Sequence, residues 1–333
     1  MMKHNLPVRK SALAVAAALA FVLTSLTGVF AIGDKEALNV GALNGPTAMG
    51  LVDLMHKAET GEANYTFQIF GSPDEVVAEL STQSLDATAI PCNLASVLYN
   101  KTEGKIRLAA INTLGVLYVV ETGDSVQSVA DLKGKTIFAT GKGATPEVVL
   151  RTVLTKNGID PDKDVTIEFK SEATEVAALM KNAGDAAIAM LPQPFVTAAA
   201  MQNDKIRVAL DMTKEWNAVS DGKDLITGCV AIRADVVKKK AEKVAAFMAD
   251  YAASVQFVQE NAGEAAKLIE EYSIVPKAAI AEKALPACNI VFIDGEKMKT
   301  LAEAYFELLF EFDPKTVGGK LPAEDFYYLP AAK

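Results

Sequence analysis

Apolar and polar positions along residues 37–232 alternate in a way that predicts strands and helices in turn. The short apolar run 37–43 and the alternating, β-rich run 65–70 (YTFQIF) both read as strands. Pro46 lies between them, at a place that suits the first turn of a helix, where its missing N–H would be unpaired anyway. That helix is predicted to run from Pro46 to about Lys57. Ser72-Pro73-Asp74-Glu75 is a second helix start, with Ser72 as N-cap, Pro73 at the first helical position and Glu75 at the reciprocal capping-box position. Further strands are predicted at 86–90, 107–112 and 116–121, and Pro91-Cys92-Asn93 opens another helix. The pattern then restarts. A strand at 136–140 leads into Gly141-Lys142-Gly143-Ala144, with Thr145 as N-cap and Pro146 after it. Strands follow at 164–170, 186–191, 205–210 and 227–232, with helices at 173–182 and 193–202. A long amphipathic helix, 239–259, and two more helices close the chain.

The restart is an internal repeat of about 100 residues. Ser72–Pro91 (SPDEVVAELSTQSLDATAIP) matches Glu172–Pro192 (EATEVAALMKNAGDAAIAMLP), so that Glu75 answers to Glu175, Asp86 to Asp185 and Pro91 to Pro192. ALNGPTAMGLVDLM from Ala42 and TGKGATPEVVLRTVL from Thr140 fit nearly the same offset. A unit of this length is too long for a solenoid repeat and suits a lobe or domain. Two α/β lobes imply a cleft between them, where small ligands bind. Strands alternating with helices argue for parallel sheets covered on both faces. The C-terminal part has no partner in the repeat and most simply returns to complete the first lobe.

Composition narrows the function. The 333-residue chain is 50% hydrophobic and 23% charged, with a net charge of −9, which is ordinary for a globular protein with a real core. The one dense basic run, Lys238-Lys239-Lys240, opens an amphipathic helix and reads as a solvated face, so no nucleic-acid partner is expected. Residues 1–31 read as a signal peptide: Lys3, Arg9 and Lys10 precede the uncharged run Ser11–Leu26, and small residues follow. Cleavage after Ala31 removes three cations and no acid, taking the net charge from −9 to −12. An uncleaved anchor is the competing reading, because no charge falls between Lys10 and Asp34. Leu26-Thr27-Gly28 begins like a lipoprotein box, but position 29 is Val, so lipidation is not expected and an exported protein of the periplasm or cell surface is.

Cys92, Cys229 and Cys288 are an odd number for an exported chain; one disulfide or three buried thiols both fit. If residues 1–31 are removed, His56 is the single histidine. A His-rich metal site is then excluded, and no cofactor is expected. The run GKGATP is not a Walker A loop, since Lys142 precedes the second glycine.

The order of LNGPTAMG, GSPDEVVAEL, DATAIPCNLA, LGVLYVVE, SVADLKGKTIFATGKGATPE, SEATEVAALM and MLPQPF resembles the extracytoplasmic solute-binding proteins of ABC transporters. The branch is the one that includes binders of sulfonates, taurine, nitrate and thiamine-precursor pyrimidines. The resemblance covers roughly residues 38–310, and DLKGKTIFATGKGATPE is its most specific piece. It implies a type II-like, two-lobed periplasmic-binding-protein fold of two doubly wound α/β sheets. The chain would cross a hinge twice, at Val119–Gly123 and near Thr227–Ile232. Lobe I would comprise 37–121 with 228–333, and lobe II 122–227. The implied function is capture of a small polar or anionic solute and delivery to a membrane permease, by a monomer.

The residues themselves support that site. In open α/β sheets ligands sit beyond the carboxyl ends of the strands, and helix starts there offer unpaired N–H groups. The candidate contacts are Asn44, Gly45, Thr47, Ser72, Cys92 and Asn93 on one lobe. On the other they are Gly141, Lys142, Gly143, Thr145, Glu172, Gln193 and Phe195. Ser72 and Thr145 are explained by capping alone. Phe195 is the best flank for a planar ligand, and Glu172 suits a helix start or a ligand amine. The competing class is an enzyme on the same scaffold, of the pyrimidine-precursor synthase or dehydratase kind. The synthases carry a Cys-rich iron motif and an active-site His, which this chain lacks, and the dehydratases are cytoplasmic.

Overall fold

The computed structural model describes residues 37–329, and within them the repeat is realised strand for strand. The signal peptide expected at 1–31 lies outside the described residues. The chain starts with β1 (Leu38–Leu43), α1 (Pro46–Met49), α2 (Val52–Glu59), β2 (Tyr65–Phe70), α3 (Pro73–Ser81), β3 (Ala87–Pro91), α4 (Cys92–Lys101) and β4 (Ile106–Leu114). The second set is β5 (Leu117–Thr122), β6 (Thr136–Ala139), α5 (Thr145–Lys156), β7 (Thr166–Phe169), α6 (Ala173–Asn182), β8 (Ile188–Pro192), α7 (Phe195–Ala200), β9 (Ile206–Asp211) and α8 (Met212–Val219). The chain then returns through β10 (Ile226–Arg233), α9 (Ala234–Lys239), α10 (Ala241–Glu260), α11 (Ala262–Glu271), α12 (Ala278–Ala284), β11 (Ile290–Ile293) and α13 (Gly295–Phe312).

The first sheet has the order β11-β4-β10-β3-β1-β2 and the second β9-β5-β8-β6-β7, so β4-β10-β3-β1-β2 matches it position by position. The repeat extends to hydrogen bonds. Glu75 accepts from the amide of Gly71 at 3.0 Å and Glu175 from that of Ser171 at 3.1 Å, each four residues back. Ser72 and Glu75 form the expected capping box.

Three expectations change. Both sheets are mixed: β10 runs antiparallel to β3 and β4, and β5 antiparallel to β8 and β9. These two strands carry the chain between the lobes, so each enters its sheet from the end opposite to its neighbours; the edge strand β11 is antiparallel to β4 as well. The crossings also lie elsewhere. Val119–Gly123 overlaps β5, whose residues pair on both sides, and Thr227–Ile232 is the interior of β10. The chain leaves the first sheet at Leu114 and joins the second at Leu117; it comes back through α8 and residues 220–225. The two passages touch, and a Cβ on Gly115 would lie 2.0 Å from Thr213 Oγ1. Finally, the helix predicted from Pro46 to Lys57 is broken at Gly50-Leu51. The buried Ser254 of α10 takes over its backbone groups, donating to Gly50 O at 2.8 Å and accepting from Leu54 N at 3.2 Å.

Helices cover both faces of both sheets. On one face of the first sheet α2, α10, α11 and α12 bury an apolar layer that includes Leu54, Phe247, Tyr251 and Ile269. The opposite face shares one continuous core with the second lobe. There Trp216 of α8 meets Tyr305 of α13 with ring centroids 5.8 Å apart, which ties the second lobe to the first beside the crossings. Cys92, Cys229 and Cys288 are all buried free thiols.

Candidate functional site

The carboxyl ends of β1, β2 and β3 face those of β6, β7 and β8, and the turns after all six enclose a cavity of about 100 Å³. Asn44, Gly71 and Pro91 line it from lobe I; Gly141, Glu172 and Phe195 line it from lobe II. The cavity is small beside the roughly 300–1,000 Å³ of drug-sized pockets, because the lobes are in contact around it. Gly71 shows how close that contact is: a Cβ there would lie 2.7 Å from Glu172 Oε1. At Gly45 a Cβ would lie 3.4 Å from the Phe195 ring.

A second bridge lies deeper. Asn93 at the start of α4 is fully buried. Its Oδ1 accepts from Thr145 Oγ1 at 3.0 Å, and its Nδ2 donates to Gly143 O at 3.3 Å and Thr316 O at 3.2 Å. Every polar atom of this side chain is therefore spent on protein, two of its three bonds reaching the other lobe.

Two sheets of one strand order, crossed twice by the chain and closed over a cavity at their strand ends, define the architecture. The NMT1/THI5-like family model matches residues 106–265. No curated protein matches the sequence. Solved structures do. An ABC transporter structure from Parabacteroides distasonis is 25% identical, covering 88% of this chain and 99% of that one at a TM-score of 0.71. The alkanesulfonate-binding protein of Xanthomonas axonopodis pv. citri, bound to MOPS, is 16% identical over 88% and 98%, at 0.69. The periplasmic nitrate-binding protein of Synechocystis is 12% identical over 84% and 84%, at 0.62. The fold is that of an ABC-transporter solute-binding protein.

Within this solute-binding fold the cavity gathers only part of the expected contact set. Asn44, Gly141, Glu172 and Phe195 line it, and Gly45 stands behind Phe195. Asn44 donates its amide to Phe70 O, and its side-chain Oδ1 is buried without a partner. Glu172 holds the N-cap position of α6 but caps nothing; one oxygen accepts from Thr174 Oγ1 at 3.0 Å.

The other candidates are used inside the protein. Thr47 donates back to Leu43 O at 2.8 Å, and Ser72 caps α3. Gly143 donates its amide to Glu147 at 2.6 Å, and Lys142 is exposed outside the lining. Gln193 Oε1 accepts from the amide and hydroxyl of Thr197, at 3.2 and 2.8 Å. Cys92 is packed in the core against Cys229; burial, then hydrogen bonding with Cys92, pushes the Cys229 thiol well up. The Cys229 thiol is therefore no nucleophile at neutral pH, and Cys92 is wholly buried, away from the cavity lining. Thr145 is not an N-cap: Ala144 holds that position and Thr145 is the first residue of α5, its hydroxyl turned to Asn93. The helix predicted from Gln193 begins at Phe195. Sequence reasoning missed Gly71, Pro91 and Thr140 as lining residues, although each sits at a strand end that the alternation pattern had located.

Proposed function

We propose that this protein captures one small solute outside the cytoplasmic membrane and presents it to the permease of an ABC importer. The observation that carries this reading is the cavity itself. It is built from both lobes, at the strand ends, and it has a single titratable side chain, Glu172. General acid–base chemistry on the scaffold would call for a second proton-handling group within hydrogen-bond reach of the bound molecule, and the lining supplies none. Capture by closure needs only shape, hydrogen-bond partners and a hinge. Export through residues 1–31 and a monomeric state complete the proposal.

The test is closure on binding. A solute that thermal-shift screening identifies as a binder stabilises the folded state by mass action. Small-angle scattering at saturation should then show a smaller radius of gyration than the solute-free protein. An unchanged profile with a saturating solute, or turnover of that solute to a new product, would sink the reading.

A further inference from the structure

The cavity's polar groups are set for a donor. Glu172 occupies the repeat position that Ser72 holds in lobe I. Where Ser72 closes a capping box, Glu172 makes no cap bond and lies across the cleft against Gly71. A carboxylate offers about four acceptor sites, and the single hydrogen bond to Glu172 is the one from Thr174. Asn44 Oδ1, an acceptor, is buried on this cavity without a partner. No Lys, Arg or His lines the space.

The helix starts around the cavity do not reverse this. Each contributes about half a positive charge, but α3, α5 and α6 each carry a carboxylate in the first turn that accepts from amides just before the helix. Glu75 holds those of Gly71 and Ser72, Glu175 that of Ser171 and Glu147 that of Gly143. Glu147 is balanced by Arg151 at 2.8 Å. Glu75 and Glu175 each set a full negative charge against the half charge of their helix. An anion entering here would meet Glu172 with no cation to offset it.

We infer that the solute is a compact organic cation, a protonated amine whose N–H groups bond Glu172 and Asn44 while its carbon part rests on Phe195. This rests on the solute-binding reading and names the ligand class of that site. Ammonium against carboxylate is a charge-assisted contact of the stronger kind, and the ring beside it adds a favourable face for a cation.

The experiment is calorimetry on the purified protein with methylammonium, ethylammonium and ethanolamine, against nitrate, methanesulfonate and acetate. In parallel, solutes retained from a complex growth medium are identified by mass spectrometry. At least one amine should bind, the retained solute should carry a positive charge, and Glu172→Gln should weaken amine binding tenfold or more. Glu172→Asp, which keeps the charge, should weaken it less. Binding of the anions alone, a retained anion or uncharged solute, or amine affinity equal in Glu172→Gln and wild type would overturn the cation assignment and leave solute capture standing. Failure of every tested amine and anion to bind, together with retention of no solute, would overturn both.

Discussion

Thr145→Val is the most informative single change, because the sequence and the structure give that hydroxyl different jobs. As an N-cap it would stabilise α5 locally. In the structure it donates to Asn93 Oδ1 at 3.0 Å, from one lobe to the other, between two buried side chains. Valine keeps the shape and removes the donor, leaving an amide oxygen buried and unsatisfied. Such a loss costs about 1–3 kcal/mol. If the bond forms only when the lobes are together, that cost falls on the closed state alone and the apparent Kd for the solute rises roughly 5–150-fold. Calorimetry reads the affinity, and denaturant midpoints read the stability. Asn93→Ala, alone and combined with Thr145→Val, completes a cycle whose coupling should be about 0.5–3 kcal/mol. Thr145→Ser keeps the hydroxyl and should stay near wild type. Additive losses in the cycle, or a serine variant as weak as the valine one, would show that the two lobes do not meet through this bond.

Two further changes address the cleft and the second lobe. Gly71→Ala places a methyl 2.7 Å from the flexible end of Glu172, so stability should move by about 0.5 kcal/mol or less while solute affinity falls; unchanged calorimetry would mean the lobes are not this close in the bound state. Glu121 is wholly buried; burial by itself would raise its pKa, but the amides of Val126 and Ser125, the Ser125 hydroxyl and Arg207 together hold it below the usual carboxylate range. Its contribution is therefore present above the unfolded carboxylate value near pH 4 and lost as pH falls through the lower folded value. Glu121→Gln should cost about 1–3 kcal/mol at pH 7 and flatten the fall in chemical-denaturation stability as pH drops below about 4, and an unaltered slope would contradict the assignment.

The alternation of strands and helices was legible because each element is long enough to show its period, and the repeat was legible because both lobes use the same local devices. Glu75 and Glu175 are visible in the sequence as equivalent acids, and they make the same bond. Strand direction was not legible. Nothing in LGVLYVVE or TGCVAIR marks β5 and β10 as antiparallel, since an apolar run buried on both faces reads alike in either direction. The broken helix at Gly50-Leu51 was hidden for a different reason: its cause, Ser254, is some 200 residues away in sequence.

At the site, sequence located the turns but not which side chains within them are free. Strand ends and Gly-Pro turns pick out Asn44, Gly141, Glu172 and Phe195 because backbone direction alone carries those residues to the cleft. Asn93, Thr145 and Gln193 occupy turns of the same kind, and each is consumed by a partner that only the folded chain reveals: the opposite lobe for the first two, Thr197 for the third. The distinction is one of hydrogen-bond accounting. A polar side chain is available to a solute only when folding has left it unpaired, and pairing across 50 residues cannot be read from composition or spacing. The comparison of the two repeats comes nearest to doing so. Where Ser72 and Glu172 stand at one structural position, the serine suffices for the cap. The acid in its place makes no cap bond, and it is the one titratable side chain that the cavity receives.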